Sequence, residues 1–240
     1  MKIFAYVGNQ RGEESGTYGV VNEVINRLSE KLVIESVIYS PKDLDIRTCQ
    51  GCGKCFSVWG ECRQFNDDLN SLIKQMECAD IIILASPVYI HNVTSDMKNL
   101  IDRLGVWVHL LRMVGKLGVG INYSFSSGNK EVSSYLNKVL TYWGVPIIGN
   151  LNIAQIEGEH VQNLKIDKLV IDIIESVSKI ESLDLKNLQK IFDMYKRHYE
   201  KVGEYNASHP EYQYWKRKGY LEEVEYEVLF RKNSSLYLDD

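Results

Sequence analysis

Residues 81–85 read Ile-Ile-Ile-Leu-Ala, an apolar run with no polar face. Such a strand must be covered on both sides, which in a globular chain means a parallel sheet layered between helices. Further apolar-rich runs at 3–7, 33–39, 117–121 and 145–148 read as companion strands. The segments between them carry apolar residues at the i, i+3, i+4 spacing of a helix face. Val20, Val21, Val24, Ile25 and Leu28 form one stripe; Leu69, Leu72, Ile73 and Met76 form another behind Asp67-Asp68. Met97, Leu100, Ile101 and Leu104 follow Ser95, a candidate cap, and two further stripes follow at 132–140 and 164–174. The strict βα alternation predicts an α/β, doubly wound parallel sheet with helices on both faces. Ligands of such sheets bind outside the carboxyl ends of the strands, so the loops after Val7, Ala85 and Ile121 are the ones to read.

The chain has 240 residues, with 28 Lys+Arg against 32 Asp+Glu. That mild acidity gives no footprint for nucleic acid. No apolar run approaches the roughly 20 residues of a membrane helix, so no membrane role is expected. The first residues are too soon interrupted for a signal peptide, which points to a cytoplasmic protein with reduced thiols. The expected organisation is one domain over 1–180, with a Cys-rich loop at 47–66, and a C-terminal helical extension over 181–240. The extension carries an amphipathic helix near 183–205 and an aromatic tail containing Tyr212, Tyr214, Trp215 and Tyr220. The tail reads as a dimer arm, a lid or a surface extension folded onto the domain.

The loop Gly8-Asn9-Gln10-Arg11-Gly12-Glu13-Glu14-Ser15-Gly16-Thr17 joins the first strand to the first helix. Glycines allow close approach of a ligand, and a helix N-terminus offers unpaired N–H groups that suit a phosphate. Asn9, Ser15, Gly16 and Thr17 supply hydrogen bonds there and Arg11 a charge. There is no G-x-G-x-x-G and no P-loop Lys, so neither a dinucleotide fold nor a nucleoside triphosphatase is indicated. An ordinary βα turn with a Ser/Thr cap is the other reading.

Three segments carry a resemblance. They are Gly8-Asn9-Gln10-Arg11 with Ser15 and Thr17; Ala79-Asp80-Ile81-Ile82-Ile83-Leu84-Ala85-Ser86-Pro87-Val88-Tyr89; and Met97-Lys98-Asn99-Leu100-Ile101-Asp102-Arg103. With them the sequence resembles the NAD(P)H-dependent FMN reductase branch of the flavodoxin-like superfamily. The resemblance implies a flavodoxin-like sheet of order 2-1-3-4-5 and bound FMN with its phosphate on the first loop. The flavin ring would lie against Pro87, Val88, Tyr89, His91 and Asn92, and a loop from Ser124 to Gly128 would close over it. The implied activity is FMN-dependent oxidoreduction, with no catalytic residue needed beyond the flavin. Electrons would come from NAD(P)H or a ferredoxin-like donor and pass to a small molecule or a protein, in a homodimer or homotetramer. The chain departs from the family's usual first loop in having Asn9 after the glycine, and Glu13-Glu14 beside the expected phosphate. The rival from another class is a non-enzymatic docking module on the same scaffold.

Cys49, Cys52, Cys55 and Cys62 follow the pattern C-x2-C-x2-C-x6-C. Thiolates are soft ligands, and this close spacing suits an iron–sulfur cluster better than a zinc ribbon. The run looks like the compact motif of the iron–sulfur flavoproteins of the same branch, which implies a [4Fe–4S] cluster near FMN. A cluster-free loop, a zinc site and a redox disulfide remain as alternatives, the first giving a plain NAD(P)H-dependent reductase. Cys78 reads as a small buried hydrophobe. Asp102-Arg103 reads as a structural ion pair, and Trp107, His109 and Met113 as contacts to a second subunit.

Overall fold

The computed structural model describes residues 1–63 and 66–237. Gln64 and Phe65 of the Cys-rich loop, and Leu238, Asp239 and Asp240 of the tail, lie outside the described residues. Five strands, β1 (Lys2–Val7), β2 (Glu35–Tyr39), β3 (Ile81–Pro87), β4 (Leu117–Ser124) and β5 (Ile147–Ala154), form one sheet in the order β2-β1-β3-β4-β5. All four pairings are parallel. This is the expected order. β3 is buried along its whole length at the centre, as its unbroken apolar run requires.

Helices α1 (Gly16–Ser29), α2 (Leu69–Cys78), α3 (Ser95–Arg103), α4 (Trp107–Leu110), α5 (Asn129–Tyr142) and α6 (Glu159–Ser178) connect and cover the strands. α3 is capped one residue earlier than expected: the Thr94 hydroxyl, not Ser95, accepts the Met97 N–H at 3.2 Å. β2 begins at Glu35, because Val33 sits 94% exposed before the sheet. β5 starts later and runs further than its apolar stretch, since the polar Asn150 and Asn152 join the sheet edge.

The extension forms α7 (Lys186–Tyr205), α8 (Pro210–Arg217) and α9 (Tyr226–Asn233). Trp215 is buried, stacks on Phe192 at 5.6 Å and donates its indole N–H to the His109 carbonyl at 2.9 Å. The Tyr226 hydroxyl donates to the Gly144 carbonyl at 2.5 Å. Tyr214 and Tyr220 are buried too. The tail is therefore folded onto this chain's own domain, not extended as an arm or a lid. Trp107 and Met113 are likewise buried inside the chain rather than turned to a second subunit; Trp107 meets Trp143 edge-on at 5.2 Å.

Candidate functional site

The first loop is fastened from below. The Gly8 N–H donates to the Ala85 carbonyl at 2.8 Å, and the Thr94 hydroxyl donates to the Gly8 carbonyl at 2.5 Å. A β-carbon on Gly8 would stand 2.6 Å from Met97 Cβ, so only glycine lets the loop lie this close to α3. Asn9 turns its amide oxygen onto the Arg11 N–H at 2.8 Å. The Arg11 guanidinium folds back on the Glu14 carbonyl at 2.9 Å. Ser15 caps α1, accepting the Tyr18 N–H at 3.2 Å and donating to the Gly12 carbonyl at 2.8 Å. Three of the expected phosphate groups thus hold the loop's own shape.

Thr17 differs. Its hydroxyl is buried with no hydrogen-bond partner among the described residues. The N–H groups of Gly16 and Thr17 open the helix and have no intrahelical acceptor. A buried orphan hydroxyl beside a helix N-terminus is a donor set that fits a phosphate. Tyr123 of β4 stands over this spot, with a β-carbon on Gly16 only 3.0 Å from its ring. The sequence reading missed Tyr123, whose one signal was its place at the carboxyl end of a strand.

The two other loops meet beside it. The Val88 N–H donates to the Tyr123 carbonyl at 2.8 Å. Tyr89 and Asn92 exchange backbone hydrogen bonds of 3.0 Å across a tight turn. Its central residues are left-handed, Ile90 at φ 49° and His91 at φ 58°. That is costly for the β-branched Ile90, and such strain gathers at ligand sites. Ile90 is 97% exposed, and Tyr89 beside it is exposed as well. A β-carbon on Gly128, at φ 85°, would stand 2.6 Å from Val88 Cγ1 and 3.1 Å from His91 Cα, so the 87–92 and 124–128 loops touch. Ser124 is held at 2.5 Å by Asn129, and the Asn92 amide oxygen accepts the Val93 N–H at 2.8 Å. His91 Nδ1 lies 3.7 Å from Glu131 and is its ion-pair partner when protonated. Pro87 is buried as the last residue of β3.

Toward the far end of α3, Cys49, Cys52, Cys55 and Cys62 line one pocket of about 130 Å³ with Phe56, Asp102 and Arg103. Cys55 begins a π-helical turn (Cys55–Trp59). Burial pushes the Cys55 thiol up, and the charges of Cys62, Cys52 and Cys49 add to that. The donors are right in kind and number for an iron–sulfur group, and they face one cavity. Among the described residues no three of the His, Cys, Asp and Glu side chains yet converge as a finished ligand set. Cys78 is not part of the pocket. It is exposed, because it lies two residues beyond the buried Met76, on the opposite side of α2.

The pocket is held by residues the sequence reading did not assign to it. Asn99 accepts the Cys49 N–H at 3.1 Å and donates to the Ile46 carbonyl at 3.0 Å. One turn along α3, Arg103 donates from Nη1 to Asp67 at 2.6 Å and to the Arg47 carbonyl at 2.6 Å. Its Nε–H donates to Cys62 Sγ at 3.2 Å. The expected Asp102–Arg103 pair is not formed: Asp102 pairs with Lys98, one turn back on the same helix. From behind, Phe56 lies 5.3 Å from the ring of His109, whose Nδ1 is 3.1 Å from Glu211 of α8. His109 therefore joins the extension to the cysteine turn within one chain.

Residues 1–158 match the family described as NADPH-dependent FMN reductase. The chain belongs to that family. It is thus an FMN-dependent oxidoreductase, and the non-enzymatic docking reading is set aside. An iron-sulfur flavoprotein of Archaeoglobus fulgidus is 31% identical over 238 residues, covering 92% of this chain and 100% of the relative. One from Methanocaldococcus jannaschii is 30% identical over 153 residues, covering 62% of this chain and 77% of the relative. The fold is shared with a solved NADH:FMN oxidoreductase in apo form, at TM-score 0.52 and 19% identity over 71% of this chain and 88% of that one. It is shared also with RosB, solved with a bound riboflavin-phosphate intermediate, at TM-score 0.58 and 17% identity over 71% and 74% of the two chains. No helix among the described residues is long and apolar enough to cross a membrane.

Proposed function

We propose that this FMN oxidoreductase passes electrons between FMN on the 9–17 and 87–92 loops and a [4Fe–4S] cluster on Cys49, Cys52, Cys55 and Cys62. FMN supplies the exchange between two-electron and one-electron chemistry. The protein's own part is to hold and orient. The N–H groups of Gly16 and Thr17 and the Thr17 hydroxyl receive the phosphate, while Asn9, Arg11 and Ser15 keep the loop in shape. Pro87, Val88, Tyr89, His91 and Asn92 border the flavin ring, with Ser124 and Gly128 on the facing loop.

The observation that carries this reading is the double attachment of α3. Its cap, Thr94, holds Gly8 of the first loop, and Asn99 and Arg103 hold the cysteine loop. A helix of 9 residues is about 13 Å long, so one rigid element keeps the two sites within a short electron path. The names of the archaeal relatives support the cluster. NAD(P)H or a ferredoxin-like protein is the donor, and the acceptor is a small molecule or a protein. The exposed Tyr89, Ile90, Phe125 and Ile156 stand on the loops at this rim and suit cover by a second copy, giving a homodimer or homotetramer. Reduced thiols suit a reducing, cytoplasmic compartment.

The plain NAD(P)H-dependent reductase stays as the second reading, favoured by the thiols' incomplete convergence. Protein purified without oxygen decides between them. One FMN with four iron and four sulfide per chain is the expected result. An iron-free yellow protein, fully active with NAD(P)H, leaves the plain reductase standing.

A further inference from the structure

We propose that Arg103 is a positioning residue for the thiol site, whose Nε–H···Sγ bond to Cys62 fixes that ligand and raises the reduction potential of the cluster. The inference rests on the cluster reading above and concerns this chain's own side chain.

The guanidinium is used on every side. Nη1 and Nη2 reach Asp67 at 2.6 and 3.3 Å, Nη1 also reaches the Arg47 carbonyl, and Nε is left aimed at Cys62 at 3.2 Å. The Arg103 and Asp67 side chains are each 1% exposed, so the fork is locked rather than free to rotate. A loop clamp alone would need only the Asp67 and Arg47 contacts. The Nε–H, from a planar group that is always charged, goes to a sulfur on the wall of the cysteine pocket. Hydrogen bonds to cluster sulfurs stabilise the more negative, reduced state and so raise the potential. Residues that orient ligands in this way tune a metal site without touching the metal. Lysine cannot reproduce it, since an ammonium is a point charge without the fork.

The test uses whole protein purified without oxygen, with iron and sulfide counted before potentials are measured by mediated titration. Arg103→Lys keeps the charge and loses the fork. The double variant Arg103→Gln/Asp67→Asn removes both charges, so no buried ion is left alone. The expected result is retained iron and FMN with a lower cluster potential in both. The oxidised-to-reduced ratio at a fixed potential should rise about tenfold, which is about 59 mV for one electron. A cluster potential equal to wild type in both variants overturns the role of Arg103 while leaving the cluster in place. Wild-type protein without iron overturns the cluster reading and this inference with it. Should neither variant fold, wild-type protein labelled with ¹⁵N-arginine serves. Pulsed electron resonance of its reduced cluster should show an arginine nitrogen coupling, and none overturns the proposal.

Discussion

Arg103 at the end of α3 and Asp67 before α2 meet at 2.6 Å with both side chains 1% exposed, and between them they hold the two ends of the cysteine loop. Asp67 accepts the Arg47 N–H at 3.0 Å, and Arg103 donates to the Arg47 carbonyl at 2.6 Å. Asp45 and Asp68 exchange hydrogen bonds of 2.8 and 3.0 Å just outside these contacts, so this buried ion pair and that exchange together close the loop between residues 47 and 67.

Breaking that pair should be expensive. Asp67→Asn leaves a buried guanidinium without its counter-charge, and such losses cost about 3–5 kcal/mol. Burial raises the Asp67 carboxyl, but Arg103 and the backbone N–H groups of Arg47 and Leu69 outweigh it and hold the group below its ordinary range. A lowered carboxyl pKa stabilises the fold above the unfolded value of about 3.9, and that stability is lost as pH falls through the folded value. Denaturant melts across pH 2–7 should show wild type weakening below about pH 4. Asp67→Asn should be weaker at pH 7 and flatter in acid. An equally steep acid limb in the variant refutes the assignment.

Thr17→Val should act with opposite signs on stability and binding. Removing a buried hydroxyl that lacks a partner relieves a cost of about 1–3 kcal/mol, so the flavin-free protein should melt no lower than wild type. Removing a bond to a charged phosphate loses about 1.5–3 kcal/mol, roughly a tenfold to hundredfold weaker grip on FMN. Flavin-fluorescence titration and thermal melts of the stripped protein check both halves. Thr17→Asp should weaken FMN further by like-charge repulsion.

Serine at Cys49, Cys52, Cys55 or Cys62 should each remove the cluster's broad visible absorbance and leave the flavin bands. Cys78→Ser should leave both, because Cys78 is exposed on the far side of α2. Absorption spectra with iron counts on the five variants are the measurement. Wild-type iron in any of the first four contradicts a four-thiolate site.

Trp215→Ala should cost about 3–5 kcal/mol, the usual loss for a buried aromatic. It should also loosen the cysteine turn, because α8 packs on that turn and Trp215 holds the His109 carbonyl behind Phe56. Faster labelling of the pocket thiols in the variant, under conditions where it stays folded, is the expected sign.

The sequence by itself determined the layered fold and the loops that matter. An apolar run such as 81–85, and stripes such as Val20, Val21 and Val24, record locally which faces are buried. Periodicity is a property of neighbours along the chain. The cysteine spacing was legible for the same reason. The partner of Arg103 was not: the adjacent Asp102 was the sequence's natural choice, yet Asp67, 36 positions away, takes the place. Likewise the exposure of Cys78, the inward turn of Trp107 and Met113, and the folding of the aromatic tail onto His109 depend on how finished elements approach. Tertiary structure decided these, because a buried charge or ring selects its partner by register and distance in space, and no short stretch of sequence carries either.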